Sequence, residues 1–180
     1  MHFDPIIELP CLATGLWRRF AVHVFEGKLT LGNIAELETA GETWHAKVTG
    51  KLVEMVVIHP SQSKMTSEER KQMAGIIKRW EYTREASATV ILAQGLQGSL
   101  HRSVLTGLQM LAPSPHPTKV FGSTELALDW LAPSVQKTSG PEARVEDLVA
   151  AIARLSAHFQ RRSVRAPMTD DEVRVTRSRA

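Results

Sequence analysis

Apolar and polar positions change their period repeatedly along the middle of the chain. Three short runs rich in apolar and β-branched residues each lead through a polar joint into a segment with helical spacing. The runs occupy positions 52–58, 88–93 and 118–121, and the helical segments that follow them occupy 66–80, 99–111 and 123–131. Strands and helices in alternation are typical of an α/β layer. The pattern predicts a fold class, but it does not indicate any catalytic activity.

Another strand and helix are predicted before these repeats. Residues 20–24 alternate in character, which predicts a strand with one face in the core. Asn33, with Glu36 three residues later, predicts an N-cap and its reciprocal partner for a helix that reaches about Val48. Gly41 interrupts the buried face of this helix and costs about 1 kcal/mol relative to alanine. We therefore expect the helix to bend or break there.

The run at 52–58 is the strongest strand signal in the chain. It is apolar throughout except for Glu54, which suits a central strand covered on both faces. Pro60 ends it, because proline cannot donate to a strand ladder. Thr66 followed by Glu69 is a capping-box signature and predicts the start of the next helix.

The composition changes after the last repeat. Ser123 predicts the N-cap of a short helix, and residues 133–144, rich in Pro, Ser, Thr, Gly and charge, predict a linker. Ser139 with Glu142 predicts the start of one more helix. Residues 161–180 are polar, basic and aperiodic, which predicts a disordered basic tail.

The last predicted helix, at 145–160, has the cleanest amphipathic stripe of the chain, and such a stripe must be buried against something. Because the helix follows the predicted linker, the stripe is the best candidate partner-binding surface, for a protein partner or for self-association. The alternatives are a helix folded back onto its own domain or paired across a homodimer. The stripe consists of Val145, Leu148, Val149, Ile152, Leu155 and Phe159.

Length and cysteine content narrow the class of protein. The chain has 180 residues, enough for one compact domain with appended material and without stabilising cross-links. Cys11 is the single cysteine, so no intrachain disulfide can form, which favours a reducing, cytoplasmic location. Residues 1–15 lack the features of a signal peptide, and we expect a soluble protein with no transmembrane segment.

The net charge of +3 lies in the tail and not in the body of the chain. Residues 161–180 hold six arginines and three acidic residues, whereas residues 1–160 hold 16 basic and 16 acidic groups. A neutral body argues against a folded surface for specific nucleic-acid binding, which needs clustered Lys and Arg. Electrostatic attachment of the tail to nucleic acid or to an anionic membrane surface stays open as a separate hypothesis.

Three segments of the chain carry a likeness to a known family. They are the residues 25–30 before the first helix, the strand at 56–58, and the strand, turn and helix at 120–131. Together they resemble the STAS and SpoIIAA-like superfamily, over about residues 18–132. The resemblance implies an α/β fold with a small mixed, largely parallel sheet of four to five strands flanked by helices. The predicted organisation is an N-terminal extension at 1–17, this domain at 18–132, the linker, the amphipathic helix and the tail.

Members of that superfamily typically act by binding, as anti-anti-sigma switches, scaffolds and sensor partners. The resemblance therefore implies a non-enzymatic, bacterial-type regulatory module that works through protein contacts. A small apolar ligand or lipid-binding domain and a phosphorylation-switched anti-sigma-factor antagonist are the alternatives. In the antagonist subgroup, a phosphorylated Ser or Thr, usually beside an Asp, begins the helix after the central strand. The matching loop offers Ser61 and Ser63 as candidate phosphorylation sites, without an Asp-Ser pair.

Other chemistry in the sequence is sparse. The loop before the helix at 99–111 offers Gly98, Ser99 and Arg102 as a candidate anion site, although a lone Gly-x-x-Gly is a weak signal and these are more often surface residues. The seven histidines show no ligand spacing, so we expect no metal. We find no nucleophile oriented by a base, and we therefore expect no catalytic residues and no cofactor.

Overall fold

The computed structural model describes a six-stranded sheet with helices on both faces. It describes residues 4–46, 48–59, 65–93, 95, 114–142 and 144–165, with side chains as far as residue 157 in the last helix. The strands are β1 (Asp4–Leu9), β2 (Leu12–Trp17), β3 (Phe20–Phe25), β4 (Leu52–Ile58), β5 (Arg84–Ile91) and β6 (Thr118–Phe121). The helices are α1 (Leu31–His45), α2 (Ser67–Arg79), α3 (Thr124–Ser139) and α4 (Val145–Arg165), with a 3-10 turn at Glu81–Thr83.

The strands lie side by side in the order in which they occur along the chain. β1, β2 and β3 form an antiparallel meander, and β3 to β6 run parallel. The sheet is therefore mixed and largely parallel, and the fold class predicted from the sequence is confirmed. Within the described ranges it has six strands, where four to five were expected.

The additional strands come from the segment predicted as an N-terminal extension, because residues 4–17 form β1 and β2 of the sheet. β1 and β2 pair with each other, β2 pairs with β3, and the first four residues of β2 are buried. Neither strand carries a strong sequence signal, because Pro5 lies in β1 and Gly15 in the middle of β2, and both residue types are depleted from strands. β1 accommodates Pro5 because it is an edge strand of the sheet.

β4 occupies the centre of the sheet, at the bounds predicted for it. Val22, Met55 and Ala88 align across β3, β4 and β5, and each is 0% exposed. Continuous burial of this kind follows from helices on both faces of parallel strands. On one face these residues meet α3 and α4, and the other face is covered by α1 and α2.

α1 is an uninterrupted helix with a different N-cap from the one predicted. The Thr30 hydroxyl accepts from the backbone N–H of Asn33, and the Asn33 side chain accepts from the backbone N–H of Thr30. Asn33 is therefore the returning partner of a capping box and not the cap itself. The helix ends at His45 without a break at Gly41, where the missing side chain makes room for the ring of Trp80.

α2 begins as the sequence predicts. The Thr66 hydroxyl accepts from the N–H of Glu69, and the Glu69 carboxylate accepts from the N–H of Thr66. These two bonds satisfy donors that every helix leaves unpaired in its first turn. Ile76 is the buried apolar residue of α2 and packs with Ile34 of α1 in the cluster above the sheet.

α3 is longer than predicted, and it replaces the first half of the predicted linker at 133–144. Ser123 caps it, as expected, by accepting from the N–H of Leu126. The helix then continues through Pro133, where a proline removes one backbone hydrogen bond. Asp129, whose carbonyl loses that bond, is exposed, and Val135 beyond the proline is 0% exposed. Water can therefore solvate the free carbonyl while burial holds the helix together.

α4 covers the same face of the sheet as α3, and its amphipathic stripe lies in the core of its own chain. The intramolecular alternative is therefore the one that the structure shows for the described residues of the stripe. Leu148, Ile152 and Leu155 are 0%, 3% and 9% exposed. Val145 and Val149 pack around the same cluster, and the Phe159 side chain lies outside the described residues.

The bounds of α4 also differ from the prediction. Ser139 ends α3, and α4 begins at Val145, so Ser139 with Glu142 does not start it. The helix extends to Arg165, into the segment predicted as a disordered tail, and residues 166–180 lie outside the described ranges. Among the helices described, none is both long enough and apolar enough to cross a membrane.

Candidate functional site

A row of buried polar side chains crosses the sheet beneath α1 and α2. They come from four adjacent strands, and their side chains share one face because matching positions of neighbouring strands point the same way. Thr14 is 0% exposed, and the most accessible member, Glu54, is 14% exposed in its side chain. We call these residues the polar network: Thr14, His23, Glu54, Arg84 and Ser87.

Glu54 is the centre of the polar network. Its Oε2 accepts from Arg84 Nε at 2.7 Å and from Ser87 Oγ at 3.1 Å, and its Oε1 accepts from Arg84 Nη2 at 3.0 Å. Burial raises the pKa of the Glu54 carboxyl, but the Arg84 charge and the nearby polar ring of His23 outweigh burial and hold the pKa well below 4.5. The carboxylate is therefore charged in the folded protein at every pH at which the protein is ordinarily handled.

His23 connects the carboxylate to the antiparallel part of the sheet. Its Nε2 lies 3.4 Å from Glu54 Oε1, and its Nδ1 lies 2.9 Å from the hydroxyl oxygen of Thr14. With its proton on Nε2, which faces the carboxylate, the ring accepts the Thr14 hydroxyl at Nδ1. The network thus spans β2, β3, β4 and β5.

Arg84 connects the same carboxylate to α2. Its Nη1 donates to the backbone carbonyl of Ile77 at 3.1 Å, while Nε and Nη2 bind Glu54. The carbonyls in the last turn of a helix lack intrahelical partners, and a cation there also opposes the helix dipole. Arg84 therefore stabilises the C-terminal end of α2 from the sheet side, and the carboxylate of Glu54 balances its charge.

Two more histidines lie near this pair. The His45 ring lies between Trp44, at a centroid distance of 4.1 Å, and Trp80, at 4.8 Å. Burial, followed by the charge of Arg84, lowers the pKa of His45 from 6.5 to about 4. His116, which is 7% exposed and precedes β6, has its pKa lowered by the same two causes. Both rings are therefore neutral at pH 7.

Most polar atoms of the network are paired, and the exception is His23 Nε2, which lies 3.4 Å from Glu54 Oε1 and makes no hydrogen bond. The oxygens of Glu54 accept three hydrogen bonds, and Arg84 directs three of its N–H groups at two acceptors. Within the described ranges, no three His, Cys, Asp or Glu side chains converge as a metal site. The arrangement fixes the positions of the strands and of α2 relative to each other.

The opposite side of α2 is exposed. We call its surface the α2 outer face: Arg70, Lys71, Ala74, Gly75, Ile77, Lys78 and, from the 3-10 turn, Tyr82. Ile77 is 49% exposed and Tyr82 is 76% exposed. Lys71 and Lys78 lie seven residues apart, on one stripe of the helix, and make no ion pair with any residue described here.

The structure does not test the phosphorylation and anion sites predicted from the sequence. Ser61 and Ser63, the candidate phosphorylation sites, lie outside the described residues. The candidate anion site at Gly98, Ser99 and Arg102 also lies outside them. Both hypotheses stay predictions.

The polar network was missed, although one signal for it was present. Glu54 is the single charged residue in an otherwise apolar central strand, and a buried charge needs a partner. The sequence does not identify that partner, because Arg84 is 30 residues away and the register of β4 and β5 depends on the folded sheet.

Comparison with known proteins identifies the fold. No protein-family model matches the chain, and no curated protein matches it. Among solved structures, the chain is similar to an uncharacterized protein of the DUF3478 family with a SpoIIAA-like fold, from Shewanella loihica PV-4. The similarity has a TM-score of 0.55 at 18% identity and covers 67% of this chain and 94% of that chain. The six-stranded sheet with its flanking helices is thus a SpoIIAA-like fold, the fold that the sequence resemblance implied.

Proposed function

We propose that this protein is a non-enzymatic regulatory module that binds a protein partner through the α2 outer face. The SpoIIAA-like fold supports the proposal, because the superfamily that the sequence resembles typically acts by binding. The observation that carries it is the exposure of Ile77, at 49% on a helix whose other side is packed against the core, and of Tyr82, at 76% in the turn that follows.

The composition of the α2 outer face fits a protein partner with an acidic surface. Aromatic and aliphatic anchors supply most of the energy of protein interfaces, and tyrosine is enriched among them. Ala74 lies one turn before Ile77 on the same side of the helix, and its small side chain leaves room for the partner to approach closely. Lys71 and Lys78 add positive charge that no acidic side chain in the described ranges pairs with, which favours a negative partner surface and speeds association.

Site-specific crosslinking in cells of the source organism tests the proposal. A photoreactive amino acid replaces Tyr82 in one version of the full chain and Leu126 in another. Leu126 is 60% exposed on α3, on the other side of the sheet, and serves as the matched control. We expect a discrete protein adduct from position 82, and no such adduct from position 126.

A second variant tests whether the adduct at position 82 depends on the α2 outer face. Ile77→Gln keeps a good helix former and removes the apolar anchor, so it should abolish the adduct at position 82 without changing the thermal midpoint by more than a few degrees. With the crosslinked partner purified, Ile77→Gln and Tyr82→Ala should each raise the Kd about tenfold or more. Equal adducts at both positions, or none at position 82, would contradict the proposal.

A further inference from the structure

The segment that joins α2 to β5 is closed into a ring by Arg84. The side chain of Arg84 returns to the carbonyl of Ile77, seven residues earlier, and donates to it at 3.1 Å. Inside the ring, Thr83 donates to the Trp80 carbonyl twice, from its hydroxyl at 2.7 Å and from its backbone N–H at 3.1 Å. We call residues 77–84 the clamped turn.

The clamped turn is also attached to three neighbouring parts of the molecule. Arg84 is bound to Glu54 in the centre of the sheet, and the Trp80 ring lies against Gly41 of α1. Glu81 accepts a hydrogen bond from the hydroxyl of Ser114 at 2.9 Å, in the segment before β6. Tyr82, in the middle of the turn, points to solvent. The contacts therefore hold the backbone on both sides of the most exposed aromatic residue of the described chain.

We propose that the Glu54–Arg84 pair is a positioning device, which sets the conformation of the clamped turn and so presents Tyr82 and Ile77 in one arrangement. A buried ion pair loses hydration when the protein folds, and its attraction repays about that loss, so replacing both partners by apolar residues is often neutral or stabilising. The specific contribution of this pair is the hydrogen bond from Arg84 to the end of α2, because an apolar side chain cannot make that bond.

This arrangement gives the proposed function a physical basis, since a preformed surface loses less conformational freedom on binding. The inference concerns the same surface and relies on the proposed function only for its consequence in binding. Its test needs no partner. Unchanged hydrogen exchange would contradict the positioning role of the pair without affecting the crosslinking result. Absence of a crosslink would contradict the proposed function without affecting the exchange result.

Hydrogen exchange of the full-length protein tests the inference directly. In Arg84→Met, the backbone amides of Trp80 and Thr83 should exchange at least tenfold faster than in the unaltered protein, because the clamp is open. Arg79→Met is the matched control, since Arg79 also ends α2 but pairs with Glu38 and Glu42 on α1. We expect it to change exchange at Trp80 and Thr83 less than twofold. Equal exchange in Arg84→Met and Arg79→Met would overturn the inference.

A double variant covers the case in which Arg84→Met fails to fold because Glu54 is left buried and unpaired. Glu54→Met with Arg84→Met removes both charges, so its thermal midpoint should return to within a few degrees of the unaltered protein. Exchange at Thr83 should stay at least tenfold faster, because the Ile77 carbonyl still lacks its donor. Slow exchange in this double variant would overturn the positioning role. Failure of the double variant to fold would also overturn it, by showing that the pair is needed for stability itself.

Discussion

Gly41 permits α1 to lie directly against the ring of Trp80. A Cβ atom at residue 41 would overlap three ring atoms of Trp80, well inside van der Waals contact. The same ring belongs to the clamped turn and stacks near His45. A single missing side chain in α1 thus determines how closely the helix approaches the end of α2.

Gly41→Ala should therefore destabilise the protein, although alanine is the better helix former. Overpacking typically costs about 1–3 kcal/mol, whereas the gain in helix propensity is about 1 kcal/mol. We expect a net loss of up to about 2 kcal/mol in the free energy of unfolding, measured by urea denaturation.

Gly75→Ala is the matched control for that substitution. Gly75 is an exposed residue of α2, with nothing within 4 Å of an added Cβ. We expect it to stabilise the protein by about 0.5–1 kcal/mol. Equal effects of the two substitutions would contradict the close approach of Trp80 to α1.

His45 should make stability depend on pH in the mildly acidic range. Its pKa is lowered from 6.5 to about 4 in the folded protein, so above pH 6.5 the ring is neutral in both states and the full stability is present. Between pH 6.5 and about 4 the unfolded chain binds the proton first, and stability falls as the pH falls. One group contributes at most about 1.4 kcal/mol per pH unit, and the partial exposure of this ring keeps its share below that.

His45→Asn should flatten this dependence, measured as the free energy of unfolding from pH 7 to pH 4.5. A residual slope is expected from His116, whose pKa is also lowered. Glu54 contributes only at lower pH, since its depressed pKa confers stability that is present above about 4.5 and is lost below it. An unchanged slope in His45→Asn would show that the ring is not neutral in the folded state.

At the level of individual residues, the sequence indicates that Glu54 is a buried charge, but it does not indicate which side chains surround it. Glu54 was conspicuous because it interrupts an apolar run. The roles of His23 and Arg84 depend on the alignment of three strands, and no local pattern in the sequence specifies that alignment. The exposure of Tyr82 also depends on how the turn is held, which only the folded structure shows.

At the scale of elements, Pro133 destabilises α3 locally, and tertiary packing of the residues beyond it keeps the helix intact. Replacing it with alanine restores a backbone hydrogen bond to the Asp129 carbonyl within α3. The unfolded chain becomes more flexible at the same time, which offsets part of the gain. We expect Pro133→Ala to stabilise the protein by about 1–2 kcal/mol, measured by thermal unfolding. A loss of stability would indicate that the helix does not continue through residue 133.

The elements with strong local chemistry were predicted at the correct places. β4 and β6 have the predicted bounds, and Thr66 and Ser123 are the predicted caps. Elements with weak local sequence signals were missed where tertiary contacts determine the structure. β2 is buried without a β-branched run, and α3 continues past a proline because the residues beyond it are buried.

At the scale of the whole molecule, α4 closes one face of the sheet. Leu148→Ala should reduce the free energy of unfolding by about 2–5 kcal/mol, since Leu148 is 0% exposed in the core. The matched control is Leu126→Ala, because Leu126 is 60% exposed on α3 and its loss should cost less than about 0.5 kcal/mol. Similar costs for both, measured by urea denaturation, would mean that α4 does not cover the sheet.

The sequence identified α4 as an element that must be buried, but it did not identify the surface that buries it. An amphipathic stripe is compatible with a domain core, a dimer interface or a partner. The fold class was easier to predict, because strand and helix alternation restricts the possible layers to a few. To predict which surface buries α4, one would need to know that β2 belongs to the sheet, because α4 packs on β2. β2 has no clear sequence signal.

The order of the strands has a consequence for synthesis. Each strand pairs with the one made just before it, so a nascent chain leaving the ribosome can add strands one after another without waiting for distant segments. α4 is the exception, because residues 145–165 must come back to cover β2, which is made more than a hundred residues earlier. Until the residues of α4 emerge, the part of this face at β2 stays uncovered, and exposed apolar surface of this kind makes a growing polypeptide prone to aggregate.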